Sequence, residues 1–111
     1  MSTKNIRSMS DKSMDFLEQL TQKKMTIGNL LWSIRECEEM SQAGFSKLLG
    51  VSRQYLCDIE HNRRIVSPKT AADFATKLGY SPIQFVRIAV QDEFDKYGLN
   101  YDVQIVEHNA A

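Results

Sequence analysis

Apolar positions recur along most of the chain at helical spacing. In residues 26–37, Ile27, Leu30, Leu31 and Ile34 follow the i, i+3, i+4, i+7 pattern of a helix with one buried face, opened by Thr26. Phe45, Leu48 and Leu49 form the next stripe, with Ser41 before it as cap and Gly50 after it as stop. Ser52 caps a third helix, in which Leu56 and Ile59 point inward. Ser67-Pro68 and Ser81-Pro82 each set a capping serine before a proline at the first helical position. The first of these helices buries Ala71, Phe74, Ala75 and Leu78 and stops at Gly79; the second runs to about Tyr97 and stops at Gly98. A further short helix is predicted upstream, from Ser13 to about Lys23, with Phe16, Leu17 and Leu20 on its apolar side.

After Gly98 the period changes. Leu99, Tyr101, Val103 and Ile105 alternate with Asn100, Asp102 and Gln104, which reads as a strand with one covered face. A lone strand needs a partner for its backbone groups, and the same strand from a second subunit would supply it. The competing reading is a last turn of helix or an irregular tail.

With 111 residues, 42% apolar and 25% charged, the chain is of a size for one compact domain. Its caps and stops divide it into an N-terminal extension (1–25), a helical unit (26–80) and a C-terminal segment (81–111). Its first residues lack the apolar core of a signal peptide, and no run is long enough to span a membrane. Two cysteines without a disulfide framework favour the cytoplasm. The two histidines, His61 and His108, have no ligand spacing around them, so neither metal nor cofactor is expected, and no nucleophile–base constellation suggests an enzyme.

The formal net charge is zero, but its layout is uneven. Residues 42–69 hold five basic side chains against two acidic ones, a local +3; residues 92–111 hold five acids against Lys96, a local −4. One basic face on a neutral protein suits local phosphate contacts better than indiscriminate polyanion binding.

The turn at Gly50-Val51 is short enough to force two helices into a steep crossing, with the small Ser46 at the close approach. Arg35, Ser41-Gln42, Phe45, Leu48, Gly50-Val51-Ser52, Tyr55-Leu56, Ile59-Glu60, Arg63, Ala75 and Leu78-Gly79 together resemble the Cro/XRE phage-repressor-type helix-turn-helix family over residues 26–80. Gly44 departs from the acidic residue usual at its position, and His61-Asn62 from an Asn-Gly; Asn62 tolerates the left-handed backbone that glycine would supply. The resemblance implies an all-α, five-helix domain, here with the extra N-terminal helix and the C-terminal strand. It also implies an ion pair between Arg35 and Glu60.

By the same resemblance the helix after Ser52 enters the major groove of double-stranded DNA. Burying Leu56 and Ile59 turns Arg53, Gln54, Cys57, Asp58 and His61 outward. Arg53 suits guanine and Gln54 adenine; Asp58 either accepts from cytosine or restrains Arg53. Gln42 at a helix start, Ser52, Tyr55, Arg63, Arg64 and Lys69 are the candidate backbone contacts, with Ser52 foremost a cap and Tyr55 open to partial core packing. Cys57 on this face reads as a bystander thiol.

One such unit contacts little DNA, so a homodimer on a palindromic operator is expected, joined through Phe85, Val86, Ala89, Val90 and Phe94. A repressor of its own promoter follows, with a cognate toxin as a candidate partner if the protein is an antitoxin. The alternative is a protein-interaction module whose DNA binding is degenerate.

Overall fold

A computed structural model describes residues 25–108. Five helices follow one another: α1 (Ile27–Cys37), α2 (Gln42–Leu49), α3 (Arg53–Glu60), α4 (Pro68–Leu78) and α5 (Pro82–Lys96). The predicted helix at 13–23 lies outside the described residues.

The starts and stops are chemical. Thr26, Ser41, Ser52 and Ser67 each accept a hydrogen bond from the backbone N–H three residues on, so one otherwise orphaned donor per helix is satisfied. Ser81 makes no such bond, and α5 relies on Pro82 at its first position. Gly50 and Gly79 end α2 and α4 in the left-handed conformation.

A single core gathers the apolar stripes. Phe45, Phe74 and Phe85 are fully buried together with Ile27, Leu30, Leu31, Leu49, Leu56, Ile59, Val66 and Ile88. α5 packs most extensively on α4, and α1 lies against both α3 and α5. Asp92 of α5 reaches across to α1, where its Oδ2 accepts from Ile27 N–H at 2.9 Å. That carboxylate meets the positive end of the helix dipole.

Three expectations are corrected. First, the described residues contain no strand: 99–108 form an irregular tail. Alternation alone does not make a strand when no neighbouring backbone is present to complete a ladder. A side chain stands in for one rung: Gln91 accepts from Val103 N–H through Oε1 and donates to Tyr101 O through Nε2, both at 2.8 Å. Tyr101 also lies edge-on to Phe94, 6.4 Å between ring centres. Second, Leu48 is 46% exposed and does not share the buried stripe of Phe45 and Leu49. The buried positions of α2 are Phe45, Ser46 and Leu49, and Leu48 falls off that arc. Third, Phe85 and Ala89 belong to the intramolecular core, so of the expected dimer face only Val86, Val90 and Phe94 remain partly open.

Candidate nucleic-acid interface

The turn between α2 and α3 is built from backbone. Gly50 takes φ +75°, and Val51 N–H returns to Ser46 O at 3.0 Å. Lys77 of α4 donates to Leu49 O at 3.0 Å, placing a cation on the carbonyl end of α2. Ser46 is buried, its hydroxyl satisfied by Ala43 O at 2.8 Å, which lets the helices approach.

α3 is held on three sides. Leu56 and Ile59 fix it to the core. At its C-terminal end Glu60, with its side chain 1% exposed, receives Arg35 Nε at 2.8 Å and a second guanidinium nitrogen at 3.1 Å. This two-point contact is the geometry in which arginine recognises a carboxylate most strongly. It raises the Arg35 pKa, chiefly through that hydrogen bond, against the opposing effect of burial. The ion pair implied by the resemblance is present.

The third support went unread in the sequence. Gly28 of α1 sits so close to α3 that a Cβ there would fall 2.0 Å from Ile59 O. Around it Thr26 Oγ1 donates to Asn62 Oδ1 at 2.7 Å and Asn62 Nδ2 donates to Asn29 Oδ1 at 3.1 Å, with Asn62 itself at φ +59°. A glycine inside an otherwise strong helical pattern was the available signal.

With its inner face fixed, α3 presents the candidate readers. Arg53 and Gln54 are exposed in its first turn, directly after Ser52, whose hydroxyl accepts from Tyr55 N–H at 3.0 Å. Tyr55 is half-buried, packs against the core and lies beneath Arg64, whose guanidinium carbon is 4.8 Å from the ring centre. That stacking directs Arg64 along an aromatic plate. Lys69 is exposed in the first turn of α4.

Three candidates are placed otherwise than expected. Gln42 turns inward, donating from Nε2 to Glu60 Oε1 at 3.0 Å. Asp58 does not restrain Arg53: one oxygen, Oδ1, takes Gln54 Nε2 at 3.0 Å and Arg63 at 3.1 and 2.9 Å. Arg63 is therefore paired inside the protein, and it also donates to Cys57 Sγ at 3.6 Å. The Arg63 bond, aided by Gln54, lowers the Asp58 pKa below its ordinary value, and that of Arg63 is raised in turn. His61 Nδ1 donates to Cys57 O at 2.8 Å, closing the C-terminal end of the helix.

Among the described residues no group of three His, Cys, Asp or Glu side chains could hold a metal ion, and no helix is long and apolar enough to cross a membrane. Two helices joined by a tight turn, the second polar on its outer face, are the arrangement that places one element in a DNA groove. Residues 33–85 match the family model described as Helix-turn-helix. The chain carries a Cro/C1-type helix-turn-helix domain, of the XRE family. Members of this family are DNA-binding regulators, generally without enzymatic activity. No curated protein and no solved structure matches the chain. Within the Cro/C1-type domain, α2 and α3 are the helix pair joined at Gly50-Val51.

Proposed function

We propose that the protein is a homodimeric transcriptional repressor that binds a palindromic operator, its own promoter included, through α3. The observation that carries the proposal is the pair Arg53 and Gln54, exposed side by side at the start of a helix whose other face is locked. Arginine offers guanine two donors, and glutamine offers adenine a donor and an acceptor, each worth ~1–3 kcal/mol of discrimination. Arg64 and Lys69, with the amides at the start of α2 and the Ser52 and Tyr55 hydroxyls, serve the phosphates and set register.

Dimerisation is assigned to the C-terminal end. Tyr97, Leu99, Tyr101, Ile105 and Val106 are exposed apolar groups, Tyr101 against the half-buried Phe94, and a second copy covering them would form the dimer, whose two recognition helices must lie ~34 Å apart to read a palindrome. Relief of repression by a toxin partner would make the protein an antitoxin, with residues 1–25 and the acidic 92–111 region as the docking surfaces for a basic toxin. In either role it works in the cytoplasm, where the DNA is.

A second reading, an interaction module with little DNA affinity, is favoured by the pairing of Asp58 with Arg63, which removes one cation from the basic face. Titration against the protein's own upstream DNA and a scrambled duplex, at two salt concentrations, separates the two. Tight binding to the upstream DNA alone, weakened by salt and by Arg53→Ala, is the expected result. Equal and feeble binding to both duplexes would reject autoregulation and favour the module. Light scattering of a Leu99→Asp, Val106→Asp variant tests the dimer, which should fall to monomer while its helicity is retained.

A further inference from the structure

Asp58 is the one acid on the outward face of α3, where a carboxylate would be repelled by phosphate. Its side chain is 25% exposed and that of Arg63 53%, so both stand at the surface that DNA would approach. All three hydrogen bonds it receives converge on Oδ1, two from the guanidinium of Arg63 and one from the amide of Gln54. Each of the two partners has a distinct capacity for DNA. Arg63 is an exposed cation whose forked donors suit a backbone phosphate. Gln54 carries two amide hydrogens, and the bond to Asp58 uses one of them, which leaves the carbonyl oxygen and the other hydrogen on the edge that pairs with adenine.

We propose that Asp58 is a positioning residue that sets specificity without touching DNA: it withholds Arg63 from the phosphates and fixes the amide of Gln54 for base readout. The inference rests on the reading of α3 as the base-reading helix. Withholding a cation lowers binding to every sequence equally, whereas fixing an amide raises discrimination at one base pair. The second effect widens the ratio of operator to nonspecific affinity, the quantity a regulator needs against a genome of competing sites, while the first keeps the protein from being held tightly on any sequence. The charge of Arg64, stacked on Tyr55 rather than salt-bridged, is left for the backbone.

The two halves separate by substitution. Binding of a random-sequence duplex is measured by fluorescence anisotropy across a salt series for the parent, Asp58→Ala, Asp58→Asn, Arg63→Ala and the Asp58→Ala, Arg63→Ala double variant. Base preference is measured by selection from a randomised library for the parent, Asp58→Ala and Asp58→Asn. Circular dichroism establishes that each variant is helical. Asp58→Ala should bind the random duplex more tightly, with a slope of log K against log salt steeper by about one, the signature of one added phosphate contact. Arg63→Ala alone should leave that slope unchanged, and in the double variant it should return to the parent value. Asp58→Ala should also lose roughly 5- to 100-fold of discrimination at the base pair read by Gln54. Asp58→Asn, which keeps an acceptor for Gln54 and drops the charge, should retain that discrimination while showing the steeper slope.

A merely structural role for Asp58 would weaken all duplexes alike and leave the slope in place. A flatter slope in Arg63→Ala alone would place Arg63 on phosphate already and overturn the proposal. So would a steeper slope that persists in the double variant, because the gain would then come from the lost negative charge. Absence of salt-dependent binding by the parent protein would remove the reading of α3, and this inference with it. A binding parent with an indifferent Asp58→Ala would remove the inference alone.

Discussion

Replacing Gly28 by alanine sets two effects of opposite sign against each other. In an open helix the change is favourable by about 1 kcal/mol, because alanine loses less backbone entropy. Here the new Cβ would fall 2.0 Å from Ile59 O, 3.1 Å from Ile59 C and 2.6 Å from Asn62 Oδ1. The obstructing atoms include the backbone of α3, so no side-chain rotation relieves them. Restoring ordinary contact requires α1 and α3 to part by about 1.5 Å at this point. Overpacking of that kind costs about 1–3 kcal/mol. Separation also stretches the bonds from Thr26 to Asn62 and from Asn62 to Asn29, each worth about 0.5–1.5 kcal/mol. Sterics win, and the net loss is about 2 kcal/mol, or ~10 °C in Tm for a domain of this size. Urea denaturation followed by circular dichroism measures it, with a lower midpoint at unchanged slope expected. Gly44→Ala is the control: its Cβ meets only the Ser41 hydroxyl at 3.3 Å and the flexible end of Met40 at 3.8 Å, so that variant should be neutral or up to about 1 kcal/mol more stable. A Gly28→Ala protein as stable as its parent would refute the close-approach argument.

Breaking the pair of Arg35 and Glu60 from the arginine side, by Arg35→Ala, strands a buried carboxylate and should cost ~3–5 kcal/mol in the same unfolding experiment. Arg35→Lys should recover only part of that, since an ammonium cannot make the two-point contact. Arg53→Ala should leave stability within about 0.5 kcal/mol and lower operator affinity by ~1–3 kcal/mol, read by anisotropy against the scrambled duplex. For Asp58 the folded-state pKa is depressed by Arg63, so whatever stability the pair contributes is present above the ordinary aspartate range and is lost as pH falls through the folded value. Carboxyl-detected NMR titration should place its midpoint below the ordinary value in the parent protein and closer to it in Arg63→Ala.

Much of the fold was legible because each helix announces its own ends. Thr26, Ser41, Ser52 and Ser67 are caps whose role depends on three neighbouring residues, and local chemistry of that kind is written in the sequence. The pairing of Arg35 with Glu60 spans 25 residues and was reached only through the family pattern. The alternation at 99–105 misled because period 2 describes side-chain direction, whereas a strand is defined by a partner backbone. Leu48 misled because the arc that α2 turns inward runs from Phe45 through Leu49 to the small Ser46, and Leu48 lies on the other side of Phe45. The outward direction of Arg53 and Gln54 followed from burying Leu56 and Ile59. What Asp58 binds did not, since Arg63 reaches it only after the chain leaves the helix through the left-handed Asn62.

The bond from Ile27 to Asp92 joins residues 65 positions apart. During synthesis α1 to α3 leave the ribosome before α5, so for part of its life the nascent chain holds the helix-turn-helix segment while the amino end of α1 waits for its carboxylate. Closing so long a loop costs entropy that only the docking of α5 on the core returns. Completion is therefore late and cooperative. A protein cut short before Asp92 should leave the amino end of α1 without its carboxylate and open to proteolysis there.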